Sequence, residues 1–334
     1  MRQRLLQRLR CPGETSRLRS LLRGRARLRR RGSCMVIQHN TRAGADTRVE
    51  LCGLTLKNPI IPASGTMSKE SLVEVGGVYG AILPKTTTPR ARDGNPTPRI
   101  AETYGGMVNS IGLQNPGVEE FMAHLGDYDV GVPLFVSVAG DTVEEFREIV
   151  DRVAADERVS AIEMNLSCPN VEHGGLTFCA GPGSVEGVVA AARETTKKPL
   201  IVKLTFEGVV ANAVAAEKAG ADAVTAINTI PALTVDVNSR KKLVRGGLSG
   251  PAIKPVALRA VYEVAGAVDV PVVASGGVAS GEDVVEFMLA GATAVQVGTA
   301  SFVREPEKML TEFAGYLQQV GLTAAQLTGE LRSA

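Results

Sequence analysis

The sequence predicts a (β/α)8 barrel preceded by a short β-hairpin, and three observations carry that prediction. From about residue 47, eight short apolar runs recur, most of them separated by amphipathic stretches of helix length. They occupy roughly 290 residues, the size of one barrel domain. No G-x-G-x-x-G follows the first run, which disfavours a doubly wound sheet, as does the count of eight.

Taken in order, Val49–Leu51 and Leu54–Leu56 flank Gly53 as a hairpin. Barrel strands are expected at Ile60–Ser64, Ala81–Lys85, Leu134–Ala139, Ala161–Ser167, Leu200–Leu204, Ala223–Asn228, Val272–Ser275 and Ala294–Gly298. Helices are expected over 142–155, 184–197, 208–219, 254–265, 281–290 and 305–319. Asp141 reads as the N-cap of the first, with acids in its first turn, and Gly220 as a C′ glycine after Ala219. Two connections are long, 86–131 and 229–253. Both follow a strand, so both belong to the face where barrel enzymes keep their active sites. No linker and no fixed-period repeat interrupts the pattern, so the barrel is one domain.

The chain has 334 residues, of which 44% are hydrophobic and 22% charged, enough for a large core and too apolar for disorder. Its five cysteines are odd in number and none form C-x-x-C, so a disulfide framework, a zinc ribbon and an intrinsic iron–sulfur cluster lack support. A reducing cytoplasm is the default compartment. No apolar run is long enough to span a bilayer. Charge is uneven. Residues 1–34 hold twelve Arg and one acid, a net +11; the whole chain carries +2, so the remaining 300 residues carry −9. This basic extension has too little to bury and is expected to be disordered. The favoured reading is sequence upstream of a second start at Met35, with a targeting peptide next and contact with anionic membrane or nucleic acid last. Residues 35–334 then form the catalytic domain, and no basic stripe with interleaved aromatics marks it for nucleic acid.

The strand ends carry the chemistry. Ser64, Lys85, Ser137, Asn165, Lys203, Asn228, Gly276-Gly277 and Gly298-Thr299 converge on one mouth if the barrel forms. Glycines after strands 7 and 8 suit a phosphate, because main-chain N–H groups can approach the anion. Taken singly they are ordinary tight turns. Asn109, Ser110, Ile111, Gly112 and Leu113, with Asn165, Asn170, Asn228 and Thr229, supply amides and hydroxyls that match the edge of a flat, neutral, imide-like ring. Cys168 lies in a loop stiffened by Pro169, with no histidine paired to it by sequence, so it suits a general base better than a Cys–His nucleophile. Cys52 reads as a small hydrophobe.

Five motifs in order carry a resemblance: Gly94–Arg99 (GNPTPR), Asn109–Pro116 (NSIGLQNP), Asn165–Asn170 (NLSCPN), Gly246–Arg259 (GGLSGPAIKPVALR) and Ala290–Ala300 (AGATAVQVGTA). Over about residues 48–320 the chain resembles the class 1 dihydroorotate dehydrogenases, and the fourth motif is most similar to the NAD-linked B type. The resemblance implies an FMN-binding barrel that oxidises dihydroorotate to orotate in pyrimidine biosynthesis. Cys168 would remove the C5 proton while a hydride passes from C6 to the flavin. Ser64, Lys85, Thr86, Ser137, Asn165, Lys203, Ile227, Gly250, Gly276, Gly277, Gly298 and Thr299 would hold FMN. Lys85, Asn109, Ser110, Ile111, Gly112, Leu113, Asn165, Asn228 and Thr229 would hold the substrate. Departures from the family pattern are Ser137 in place of Asn, Met67-Ser68-Lys69 after Ser64-Gly65-Thr66, and a loop after Thr229 (Ile230-Pro231-Ala232) that is shorter and lacks the usual glycine.

The B type implies a partner subunit carrying FAD and a 2Fe–2S cluster, in a heterotetramer built on a homodimer of this chain. Other readings are a fumarate-linked A-type homodimer, a dihydropyrimidine-oxidising flavoprotein and a non-catalytic phosphate-binding barrel. The quinone-linked type uses Ser as its base, whereas position 168 is Cys.

Overall fold

A computed structural model of the chain describes residues 44–166 and 178–333. The basic extension over 1–34, the boundary at residue 35, and Cys168 with the loop around it lie outside the described residues.

Strands β1 (Val49–Leu51) and β2 (Leu54–Leu56) form the expected hairpin, with Leu51 opposite Leu54. Cys52 and Gly53 between them have φ of 52° and 77°, the twist that a two-residue hairpin turn requires. The Cys52 thiol reaches the Asp222 carbonyl at 3.4 Å, which seats the hairpin under the N-terminal end of the barrel. Burial pushes that thiol up to about 12, so Cys52 packs and does not react.

The barrel begins at β3 (Ile60–Pro62), followed by a short helix α1 (Lys69–Val75) capped by the Ser68 hydroxyl. The first insert contains β4 (Ile100–Thr103), β5 (Gly106–Asn109) and α2 (Val118–Ala123). The alternation then runs β6 (Leu134–Val138), α3 (Val143–Ala154), β7 (Val159–Asn165), α4 (Pro182–Arg193), β8 (Leu200–Leu204), α5 (Val209–Lys218) and β9 (Ala223–Ala226). The second insert is a hairpin, β10 (Ile230–Asp236) and β11 (Lys241–Ser249). The chain finishes with α6 (Lys254–Val264), β12 (Val272–Ser275), α7 (Gly281–Leu289), β13 (Ala292–Val297) and α8 (Pro306–Val320), then two helical turns.

Seven strands form one parallel sheet in the order β3-β13-β12-β9-β8-β7-β6. The expected eighth strand, Ala81–Lys85, is not continuous. Its chain segment makes parallel bridges to β6 only at Ile82 and Thr87, and the Gly80 N–H donates to the Ile60 carbonyl of β3 at 2.9 Å. Pro84 has no N–H to give the ladder, which limits the pairing. These bonds still link β6 back to β3, so the sheet closes as a barrel. The strands are buried on both faces, as parallel strands covered by helices must be.

Three further expectations need correction. The cap of α3 is Thr142, whose hydroxyl accepts from the Glu145 N–H at 3.1 Å; Asp141 pairs with Arg92 at 2.7 Å instead. Helix α4 starts earlier than residue 184, because Pro182 suits the first turn. The segment Ile230-Pro231-Ala232, expected as a loop, is the start of a seven-residue strand. The two inserts also merge. β11 pairs with β5, Gly247 opposite Asn109 and Ser249 opposite Met107, giving an antiparallel sheet β10-β11-β5-β4. Its own small core is Ala101, Val108 and Val244.

Candidate active site

A cavity of about 1930 Å³ opens at the C-terminal ends of the barrel strands. That exceeds the few hundred to about 1,000 Å³ of a single drug-sized ligand and leaves room for two molecules side by side. One wall is glycine. Gly276 and Gly277 follow β12 with φ of 125° and 84°, and Gly298 with Thr299 follows β13. A Cβ on Gly277 would sit 2.6 Å from the Lys254 nitrogen at the start of α6. Side chains are excluded on that side, so the turn meets the cavity as main chain.

An ion-pair cluster braces the same turn from behind. Lys254 contacts Asp283 at 2.7 Å and Glu286 at 2.9 Å, and Asp283 also accepts the Ala279 N–H at 2.8 Å. Burial alone would lower the Lys254 pKa, but the two carboxylates outweigh it and raise it. Burial alone would raise Asp283, but Lys254 and the Ala279 N–H outweigh it and hold the carboxyl below its ordinary value. On the cavity side, the Thr299 hydroxyl donates to Ser249 of β11 at 2.8 Å and ties the β13 turn to the insert sheet.

Polar side chains converge from the neighbouring strands. Lys203 is the penultimate residue of β8, and its buried ammonium donates to Gln296 of β13 at 2.7 Å. Asn165 ends β7, and Asn228 donates to its side-chain oxygen at 3.4 Å. The Asn228 oxygen in turn accepts the Thr229 N–H at 2.7 Å, fixing where the second insert leaves the barrel. Lys85 lies against Gly65, where an added Cβ would approach its Nζ to 2.9 Å. Ile227, Gly250, Lys85, Asn165, Lys203 and Asn228 all line the cavity.

Ser64 and Thr86 also line it, joined by a hydroxyl contact of 2.6 Å. Ser137 does not. It is buried behind Thr86, 2.9 Å from its hydroxyl, so it supports that wall rather than forming it.

The opposite wall is the loop from Asn109 to Leu113, every residue of which faces the cavity. Asn95 fastens this loop: its side chain donates to the Ser110 carbonyl and hydroxyl at 3.1 and 2.9 Å, and its N–H to the Ile111 carbonyl at 2.9 Å. Asn115 organises the next turn through the Thr88 and Gly117 N–H groups. Both asparagines lie in the motifs Gly94–Arg99 and Asn109–Pro116, but neither was given a role by sequence. Nor was a role given to Glu163, Thr225 and Gln296, a buried polar group inside the barrel, although Gln296 lies in the motif Ala290–Ala300. Their one visible signal is a polar residue at an inward position of an apolar strand, as in Glu163 two before Asn165.

A parallel barrel with glycine turns after its last two strands, cations at two other strand ends and an amide-lined wall opposite places the chain in the class of barrel enzymes whose site lies at this face. Residues 47–312 match the family described as Dihydroorotate dehydrogenase. The chain is 45% identical over 300 residues to a Geobacter metallireducens protein named dihydroorotate dehydrogenase B (NAD(+)), catalytic subunit, covering 86% of this chain and 98% of that one. A protein of the same name from Anoxybacillus flavithermus is 46% identical over 288 residues, 82% of this chain and 91% of the relative. In fold, the chain matches a crystal structure of DHODH from Eimeria tenella in complex with ferulenol, with a TM-score of 0.75, 22% identity and 98% of each chain covered. The chain belongs to the dihydroorotate dehydrogenase family and is an oxidoreductase of the NAD-linked B type.

That family implies FMN, and the residues present fit it. The main-chain turns suit a phosphate, the buried Lys203 suits the electron-rich edge of a reduced ring, and the remaining volume accommodates a second flat molecule against Asn109–Leu113.

Proposed function

We propose that this chain oxidises dihydroorotate to orotate as the catalytic subunit of an NAD-linked pair. The observation that carries the reading is the convergence of the glycine turns, Lys203, Asn165, Asn228 and the Asn109–Leu113 loop on one cavity, within the matched family span. FMN, when bound, supplies the two-electron acceptor. Gly276, Gly277, Gly298 and Thr299 would hold its phosphate, and Gly250, Ile227, Ser64, Thr86 and Lys85, which line the same cavity, would hold the rest of it.

The Cys168 thiolate would take the C5 proton of dihydroorotate while a hydride leaves C6 for the two-electron acceptor that FMN would supply, and the C5=C6 bond of orotate forms from the electrons of the broken C5–H bond. Asn165 lines the cavity, and Cys168 follows it by three residues, within roughly 10 Å along an extended chain. A thiol with an ordinary pKa of about 8.5 needs no histidine to serve as base. Asn165, Asn228, Thr229 and the Asn109–Leu113 loop orient the substrate ring through its amide edges, and Lys85 meets its carboxylate. Lys203 holds positive charge at the cavity floor, where negative charge builds on reduction.

The relatives are named catalytic subunits, which supports a second subunit that receives the electrons. We assign FAD and a 2Fe–2S cluster to that partner, NAD+ as final acceptor, and a heterotetramer of two chains of each kind. Phe302, which lines the mouth, and the neighbouring Val303 are exposed at 58% and 87%, an apolar rim suited to a partner. No helix among the described residues is long and apolar enough to cross a membrane, and we assign the cytoplasm. The basic extension over 1–34 we assign to sequence the barrel does not need.

The test is anaerobic. Purified protein reconstituted with FMN is mixed with dihydroorotate and, separately, with dihydrouracil. Bleaching of the flavin by dihydroorotate alone is expected, with slow reoxidation by NAD+ in the absence of a partner. Bleaching by dihydrouracil instead, or a protein that takes up no flavin, overturns the proposal.

A further inference from the structure

We infer that Glu163 is a positioning residue which, acting through Lys203, sets the charge that the cavity floor presents to the bound redox cofactor. The inference rests on the flavin reading above. Glu163 stands inside the barrel on β7 and is 1% exposed. Its Oε2 accepts from the Thr225 hydroxyl at 3.0 Å and from the Gln296 amide. Its Oε1 has no hydrogen-bond partner among the described residues. The Lys203 ammonium lies 3.9 Å from that oxygen, too far for a hydrogen bond and close enough for strong attraction in a dry interior. Gln296 bridges the two charges, its carbonyl accepting from Lys203 and its amide donating to Glu163.

Packing does not explain this group. Barrel interiors are normally layered with branched aliphatic side chains. A carboxylate oxygen left without a hydrogen bond there destabilises the fold, and hydrophobic replacements of buried ion pairs are often neutral or stabilising. A buried polar atom without a partner therefore calls for a functional reason. Lys203 supplies it, because the same side chain that meets Glu163 also lines the cavity. Its positive charge favours reduction of a ring above it, and the carboxylate beneath moderates that charge. Gln296 fixes the distance between them, so the floor offers a defined fraction of a cation.

Glu163→Gln keeps the shape and removes the negative charge. Lys203 is then uncompensated, and the redox equilibrium of bound FMN shifts toward the reduced form by tenfold or more. For a two-electron couple that is a rise of about 30 mV in midpoint potential. Lys203→Met removes the cation and lowers the potential. Glu163→Asp keeps the charge but retracts it by one methylene, and falls between parent and Glu163→Gln. The measurement is anaerobic dye equilibration on the FMN-loaded full chain. Opposite signs for the Glu163 and Lys203 variants are expected; loss of stability alone does not produce them. A parental potential in flavin-loaded Glu163→Gln, or a shift in the same direction as Lys203→Met, overturns the inference. If Glu163→Gln does not fold, a parental potential in Glu163→Asp overturns it equally. Flavin that dihydroorotate reduces, with an unchanged potential in the variants, sinks this inference alone. A parent that binds no flavin sinks the functional proposal with it.

Discussion

Replacing Gly277 by Ala tests whether the phosphate turn is held by the helix behind it. The added Cβ would lie 2.6 to 2.7 Å from the nitrogen, Cα and Cβ of Lys254, the first residue of α6. Two of those atoms are backbone of a helix, so no rotamer change relieves the contact. The residue also has φ of 84°, which disfavours any L side chain by about 1–2 kcal/mol. Overpacking adds about 1–3 kcal/mol. Together they destabilise the barrel by roughly 2–5 kcal/mol, a large part of a typical total of about 5–15 kcal/mol.

With an unfolding entropy near 2.1 cal/mol/K per residue, a barrel of this size loses roughly 1.6 °C per kcal/mol, so Tm falls by about 3–8 °C. Gly315→Ala is the matching control. Gly315 lies within α8 with open space around it, and Ala there stabilises by about 0.5–1 kcal/mol and raises Tm by roughly 1 °C. The assay is thermal melting of both variants, paired with affinities for FMN and for riboflavin, which lacks the phosphate. Gly277→Ala should lose more affinity for FMN than for riboflavin. A variant that melts within about 1 °C of the parent and keeps its FMN affinity refutes both the close approach to α6 and the role of the turn.

Cys168→Ala should retain FMN and lose flavin reduction at neutral pH in stopped-flow bleaching, and the parental rate should climb as pH approaches about 8.5. Thr86→Val should destabilise by about 1–3 kcal/mol in urea titration, more than Ser137→Ala, because it strands the buried Ser137 hydroxyl. Asp283 has a folded pKa held below its ordinary value, so its contribution is present above about pH 4 and is lost as pH falls through the lower folded value. Asp283→Asn should therefore destabilise by about 1–2 kcal/mol at neutral pH and flatten the acid limb of a stability–pH profile.

The barrel was legible because parallel strands are buried on both faces and read as unbroken apolar runs. The 81–85 run shows the limit of that signal. Its residues are buried like the others, but Pro84 removes an N–H from the ladder and leaves two isolated bridges. The mouth residues were legible because a strand end fixes which face of the barrel it joins. Whether a residue lines the cavity or stands behind its wall was not, since that depends on a neighbour's side chain, as Ser137 behind Thr86 shows. β10 was not legible for a different reason: Leu233 and Val235 alternate as a strand should, yet both are more than half exposed, so no buried face marks the run. Glu163 and Gln296 meet across the barrel from β7 and β13, a proximity set by how the sheet closes and not by spacing in the chain.

The merging of the two inserts has a mechanical consequence. β11 carries Ser249, which receives the Thr299 hydroxyl from the phosphate turn, and it pairs with β5, which runs directly into Asn109. The turn after β13 and the Asn109–Leu113 wall are thus tied to the two central strands of one antiparallel sheet. A Cβ on Gly106 would collide with the Ser249 carbonyl, and one on Gly246 with the Asn109 carbonyl, at 1.9 Å in each case, so the two strands meet with no slack at these points. Sliding β11 by even one residue would reverse its faces, breaking the Thr299 contact and moving the Asn109 backbone together. A barrel with two independent loops could lose one ligand's site and keep the other. In this chain the register of a single strand holds both, so the Thr299 turn proposed to grip the flavin phosphate and the Asn109–Leu113 wall proposed to face the substrate rise and fall together.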